Sequence, residues 1–292
     1  MIGNLIKLMR PWQWIKNTFV FLAMFFGGKL LDANAWFYTL IGFAALCLAS
    51  SAIYCLNDIC DAKTDKYNPQ KCTRPIAAGL ISPQVAASFG VVLGALSLIL
   101  TFTLLPIEGF YVIVGYLLMN ALYCLWLKHI PLIDLFIIAM GFELRLILGG
   151  IASDTILSTW IVIMVFLLSF FLALAKRRDE LVMSQKSNNE IEVRKSVSQY
   201  NIRFIDVALS IICSVMLIAY IIYTIQPETI AHFGSSKLYV TSLFVLCGIL
   251  RYLQITIVAN ESSDPTMTIY KDRALQLTLL GWIASFTLII YG

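Results

Sequence analysis

Histidine is almost missing: His129 and His232 are the only two in 292 residues. Base catalysis resting on a histidine pair is thereby set aside, and so is a His-rich metal site. There is no glycine-rich phosphate loop and no Gly-x-Ser-x-Gly nucleophile turn. The seven cysteines (47, 55, 60, 72, 124, 213 and 247) are odd in number, lack metal-ligand spacing and mostly fall inside apolar runs. They read as small core residues and not as a disulfide framework. Charge is also scarce, at 13% of residues against 60% hydrophobic. A water-soluble core of this size has no use for so much apolar surface. No Gly/Ser/Pro-rich linker splits the chain, no cleavable signal peptide is apparent, and nothing points to nucleic acid.

What the chain has in quantity is long apolar stretches. A helix needs about 20 such residues to cross a bilayer. Nine candidates follow in order, at roughly 12–29, 35–57, 84–105, 108–127, 132–151, 157–175, 204–225, 237–257 and 274–291. Their length excludes the ten-residue alternation of a membrane barrel. The expected fold is therefore all-α, a polytopic membrane protein of about nine transmembrane helices. With nine spans, eighteen of the 21 lysines and arginines share one side, Lys29 and Lys237 take the other, and Arg145 lies within a span. The positive-inside rule then puts the N-terminus and the long loops in the cytoplasm and the C-terminus outside. Trp12, Trp14, Trp36, Trp126, Trp160 and Trp282 fall near span ends, as an interfacial belt would.

One short run stands apart. Asn57-Asp58-Ile-Cys-Asp61-Ala-Lys-Thr-Asp65 follows directly on the second span, and Asn68-Pro69, Lys71 and Arg74-Pro75 come just after it. Acids stacked at a helix end repel one another and resist dehydration. A divalent cation carrying a phosphorylated substrate relieves both problems. In a helix Asn57, Asp61 and Asp65 line up at intervals of four, with Asp58 beside them. Asp61 and Asp65 lie about 6 Å apart along the axis. That suits a hard cation held by one or two carboxylates and completed by diphosphate oxygens and water, the habit of Mg²⁺. The competing reading is a solvated helix end paired with Lys63 and Lys66. Lys66, Lys71 and Arg74 would hold phosphates the metal does not reach, or serve only as positive-inside charge. Helix is expected to stop near Asn68-Pro69.

Further candidates sit elsewhere. Lys16 and Asn17, just inside the first span, put a donor pair into the same cavity if they face inward; the alternative is a Lys16 that snorkels to headgroups. Lys128 precedes Pro131 and Asp134. Glu143 and Arg145 lie deeper, two residues apart, on different parts of one helix surface, and an ion pair with another helix competes with a functional role. Lys176-Arg177-Arg178-Asp179-Glu180 ends the sixth span as an anion site or as a plain stop-transfer cluster. Asp264-Pro265 and Asp272-Arg273 shape the last cytoplasmic loop, with Arg251-Tyr252 before it, and are the weakest candidates. Residues 186–200 read as a turn and a short solvated helix.

The run Asn57-Asp58-x-x-Asp61-x-x-x-Asp65-x-x-Asn68-Pro69-x-Lys71-x-x-Arg74-Pro75-Ile76-x-x-Gly79 resembles the first aspartate-rich motif of the UbiA superfamily of membrane prenyltransferases. Three more segments are similar to its decaprenyl-phosphate phosphoribosyltransferase branch: Arg10-Pro11-x-Gln13-Trp14-x-Lys16-Asn17, Lys128-His129-x-Pro131-x-x-Asp134 through Gly141-Phe142-x-x-Arg145, and Lys176-Arg177-Arg178-x-Glu180. The resemblance implies one transferase domain over 1–292, with loops 58–83 and 176–203 as an active-site cap. It implies Mg²⁺ at Asp58, Asp61 and Asp65, with Lys16 beside them in the reaction. It further implies substrate contacts at Asn17, Asn57, Lys66, Lys71, Arg74, Lys128, Arg145, Lys176, Arg177, Arg178 and Glu180. Many superfamily members carry a second Asp-x-x-x-Asp motif after the sixth span; the Lys-Arg-Arg-Asp-Glu found here suits an anionic acceptor better. The implied partners are phosphoribosyl diphosphate, a polyprenyl phosphate and the bilayer of the cell's inner membrane, with a homo-oligomer left open. Prenyl transfer to an aromatic acceptor is the rival.

Overall fold

The computed structural model describes residues 1–67, 71–186, 196–259, 268 and 271–291. These residues form helices joined by turns, with no strand among them. Asn68-Pro69, most of 186–200 and Asp264-Pro265 lie outside the described residues, and so do the short solvated helix and the proline turn expected there; the helix that was to stop near Asn68-Pro69 ends at Asp65.

The chain divides into two compact units, Met1–Ser158 and Thr159–Gly292. The first opens with α1 (Ile2–Met9), a 3₁₀ segment (Pro11–Phe19) and α2 (Val20–Phe26). Then come α3 (Ala33–Asp65), α4 (Pro83–Leu104), α5 (Ile107–Leu125), a 3₁₀ turn (Leu127–His129) and α6 (Ile133–Ala152). The second unit holds α7 (Thr159–Lys186), α8 (Ile202–Ile225), α9 (Pro227–Phe233), α10 (Ser242–Leu253) with a π-helical run behind it (Gln254–Ala259), and α11 (Arg273–Tyr291).

Among the described residues seven helical stretches are long and apolar enough to cross a membrane, and they coincide with the second to eighth expected spans. The first and last expected spans are not among the seven. The first is broken into a 3₁₀ segment and a seven-residue helix, and α11 counts only as a shorter apolar helix. Pro11 explains part of the break. It occupies the first turn, and Arg10 before it sits in the left-handed region at φ 52°.

Helix starts follow ordinary capping chemistry. Asp32 accepts from Asn34 N at 2.8 Å and Ala35 N at 3.3 Å to begin α3. Ser82, followed by Pro83, begins α4, and Asn201 accepts from Phe204 N at 2.7 Å to begin α8. Inside unit 1, small residues let backbones approach, as they do where lipid offers no hydrophobic driving force between helices. Ala45 and Ala49 of α3 share a buried cluster with Val20, Ile113, Tyr116, Leu148 and Ala152. A second cluster joins Leu8 of α1 to Cys55, Ile76, Ile81, Ala86 and Leu93, so it fixes the chain before and after α3's acidic end. Outward faces stay apolar, as at Val91, Phe102 and Leu118. In unit 2, Trp282 donates to Tyr220 Oη at 2.7 Å, which shares a 2.7 Å hydrogen bond with Thr241.

Candidate active site

α3 carries its acids over its last two turns. With about 3.6 residues per turn, Asp58, Asp61 and Asp65 fall within an arc of roughly 60°, and Asn57 lies to one side. Asp58 and Asp65 are buried, and Asp61 is half-buried. The face that matters is thus centred on Asp58, Asp61 and Asp65; Asn57 turns its side-chain oxygen toward Cys124 Sγ at 3.8 Å.

Each acid meets a cation from another segment. Arg10 donates to Asp58 Oδ1. Arg74 bridges two acids, with Nη1 at 3.3 Å from Asp58 Oδ1 and 2.5 Å from Asp65 Oδ2. Lys128, itself buried, stands 2.5 Å from Asp61 Oδ1. Lys63 and Lys66, the partners of the solvated-end reading, are exposed instead. Four segments therefore converge: α1's end, α3, the loop after α3 and the turn after α5; Tyr54 of α3 puts its ring under the Arg10 guanidinium at 5.1 Å. Burial disfavours the Arg10 charge and lowers its pKa from the ordinary arginine value; Asp58 opposes that effect and Arg74 adds to it.

The acids suit a hard divalent cation. Asp58 Oδ2 is buried with no hydrogen-bond partner among the described residues, an open lone-pair site at 2% residue exposure. Asp61 and Asp65 each place one oxygen on a cation. Among the described residues no three acids close on one point, so protein oxygens alone do not form a cage. One or two carboxylates plus substrate oxygens is the Mg²⁺ arrangement that fits.

The other expected residues separate into groups. Lys16 is half-buried on the 3₁₀ segment and Lys71 half-buried in the loop after α3. Asn17 is buried one step deeper: its amide nitrogen reaches Ser50 Oγ at 3.3 Å and Cys47 Sγ at 3.4 Å. Its oxygen accepts from Arg145 Nε at 2.9 Å. Arg145 further donates to Tyr116 Oη at 2.8 Å and Gly141 O at 2.6 Å, and lies 5.1 Å from the ring centres of Tyr116 and Phe142. Its three nitrogens thus tie the first segment to α5 and α6. Glu143 makes no pair with it; both its oxygens are buried without a partner among the described residues.

In unit 2, Arg177 grips Glu180 with Nη1 at 3.0 and 2.8 Å from its two oxygens. Arg178 donates from Nε to Asp206 at 2.7 Å and from Nη1 to Thr256 O at 2.6 Å. It joins α7, α8 and the π-helical run. Both arginines are buried and Lys176 is half-buried. Arg251 and Asp272, the open charges of the last loop, pair with each other at 2.6 Å, and Asp272 caps α11 through Leu275 N.

Sequence reasoning missed Arg10 and Tyr54 as parts of the site. A signal was present: Arg10 heads the Arg10-Pro11-x-Gln13-Trp14 segment at the same chain end of the bundle as the acids.

Residues 18–284 match the family described as UbiA prenyltransferase. The chain belongs to the UbiA prenyltransferase family. It is accordingly an integral membrane transferase. A decaprenyl-phosphate phosphoribosyltransferase of Mycolicibacterium smegmatis is 32% identical over all of this chain and 93% of its own length. The protein of that name from Corynebacterium glutamicum is 28% identical over 99% of this chain and 87% of its own. Among solved structures, a UbiA homologue from Archaeoglobus fulgidus bound to GPP and Mg²⁺ superposes with a TM-score of 0.74. It is 16% identical, covering 99% of this chain and 100% of that one, which establishes the UbiA fold for both.

Proposed function

We propose that this UbiA-family protein transfers a 5-phosphoribosyl group from phosphoribosyl diphosphate to a polyprenyl phosphate, in a Mg²⁺-dependent reaction that serves cell-envelope polymer synthesis. The observation that carries the proposal is the cluster of Asp58, Asp61 and Asp65 interleaved with Arg10, Arg74 and Lys128. Alternating charge of this kind matches a metal-complexed diphosphate, in which cation and anion arrive together. The choice of sugar donor and lipid acceptor is supported by full-length relatives of that name and by the basic cluster after the sixth expected span.

Asp58, Asp61 and Asp65 would hold the metal, which when bound neutralises charge on the diphosphate leaving group. Arg74 and Lys71 bind diphosphate oxygens, with Asn57 and Lys66 at the rim. Lys128 aligns Asp61. Lys16 lies beside the reacting carbon, on a segment whose depth is set by Asn17 and Arg145. Lys176, with Arg177, Arg178 and Glu180 around it, serves the acceptor's phosphate. A phosphate oxygen of the lipid, already anionic at neutral pH, forms a bond to the anomeric carbon as the bond from that carbon to diphosphate breaks. No proton need move, so positioning and charge stabilisation carry the rate.

The test is one assay. Purified protein with Mg²⁺, labelled phosphoribosyl diphosphate and a polyprenyl phosphate should yield a lipid of polyprenyl phosphoribose mass. Turnover of a prenyl diphosphate with an aromatic acid, and none with phosphoribosyl diphosphate, would establish the rival instead. Lys176→Ala combined with Arg177→Ala should raise the apparent KM for lipid phosphate; a rise for the ribosyl donor alone would reassign that cluster.

A further inference from the structure

Asp58 receives two cations on one oxygen and none on the other. Arg10 and Arg74 both address Oδ1, while Oδ2 is buried without a partner among the described residues. The two arginines are not equivalent. Arg74 has a second carboxylate, Asp65, at 2.5 Å. Arg10 has Asp58 alone, plus the face of Tyr54. Its backbone is left-handed (φ 52°, ψ 62°), a conformation costly for a non-glycine residue. Its N–H donates to Lys7 O, its carbonyl accepts from Gln13 N at 2.9 Å, and its side chain is anchored on Asp58 and Tyr54.

We propose that Arg10 is a donor-binding residue that occupies Asp58 in the metal-free protein and passes to a phosphoryl oxygen when a metal-complexed diphosphate arrives. The identity of the full donor rests on the function proposed above; the exchange itself concerns only metal and diphosphate. A carboxylate already shared by two guanidinium groups is a poor seat for a third positive charge. Metal arriving alone therefore competes with Arg10. Metal arriving with diphosphate brings new oxygens that a guanidinium binds in a planar, paired fashion. The same side chain then opposes the bare ion and favours the complex. That reversal of sign distinguishes exchange from every simpler role.

The experiment uses full-length protein in detergent, with Mn²⁺ as an EPR-visible ion and Mg²⁺ with inorganic diphosphate as the donor fragment. Arg10→Gln should bind Mn²⁺ alone about five- to tenfold more tightly and Mg²⁺-diphosphate about tenfold more weakly, couplings of the usual size between linked sites. Arg10→Lys, which keeps the charge, should leave Mn²⁺ affinity near wild type and give intermediate diphosphate affinity. Unchanged Mn²⁺ affinity in Arg10→Gln would reduce Arg10 to a plain diphosphate ligand and overturn the exchange. Parallel loss of both affinities, together with a lower melting temperature without metal, would mark a structural residue and overturn it too. Wild-type protein that binds neither probe would overturn the functional reading along with the exchange.

Discussion

Asp65 and Glu143 are both buried acids, yet they differ in what surrounds them. Asp65 has Arg74 at 2.5 Å. Asp65→Asn keeps the shape and removes the charge, while Arg74 retains Asp58 at 3.3 Å. The fold should survive, and turnover should fall by at least about 10²-fold, the usual loss when one charge-stabilising group is removed. Asp61→Asn should behave alike, with the Lys128–Asp61 ion pair removed. Steady-state rates alongside thermal melts check both; near-wild-type rates in either would remove these acids from the metal site. Glu143 has nothing: at 3% exposure its two oxygens lack partners among the described residues. An unpaired buried polar group costs free energy that an apolar isostere does not. Glu143→Leu should therefore raise stability by about 1 kcal/mol or more, read as a melting temperature higher by about 2 °C. A fall in melting temperature would mean that the carboxyl is engaged after all.

At the level of helices, close approach depends on single glycines. A Cβ on Gly149 of α6 would lie 2.0 Å from Val20 O and 2.8 Å from its carbonyl carbon, backbone atoms that cannot rotate away. Gly149→Ala should push α2 off α6 at a cost of about 1–3 kcal/mol. Gly115→Ala on α5, where a Cβ meets nothing within 4 Å, is the control and should be neutral or slightly stabilising. Equal melting temperatures for the two variants would show that the α2–α6 crossing tolerates separation. Hydropathy made the second to eighth spans legible, because length and apolar content are local properties. It did not reveal that the first span opens as a 3₁₀ segment, which a buried network, Arg145 to Asn17 and Asn17 to Ser50, ties to its neighbours. The acids were legible as a cluster. Their partners were legible only in part: Arg74 and Lys128 were expected in the site as substrate contacts, but not as ion-pair partners, and Arg10 was missed, 48 positions from Asp58, while Lys128 lies 67 from Asp61 and Arg74 16 and 9 from Asp58 and Asp65. Helical periodicity also favoured a row through Asn57, whereas the fold centres the face on Asp58.

Over the whole molecule, helix length explains how charged chemistry coexists with a bilayer. α3 has 33 residues, roughly 50 Å at 1.5 Å per residue, against a hydrocarbon core of about 30 Å. About 13 residues of an upright helix therefore project beyond lipid, and the charge pattern decides which. Asp58, Asp61 and Asp65 occupy one end, together with Arg10, Arg74 and Lys128. The opposite end of unit 1 carries Lys29, whose Nζ lies 3.0 Å from Ser153 O and 3.4 Å from Asp154 Oδ2. Lysine and arginine of unit 1 are concentrated at the acid end, so that end should face the cytoplasm. Cysteine labelling can decide it. In a protein with Cys60, Cys72 and Cys247 changed to serine, Asp154→Cys should react in intact cells with a membrane-impermeant maleimide. Asp154 is fully exposed. Lys63→Cys, on the projecting part of α3, should react only after the membrane is opened. Labelling of Lys63→Cys from outside would invert the topology.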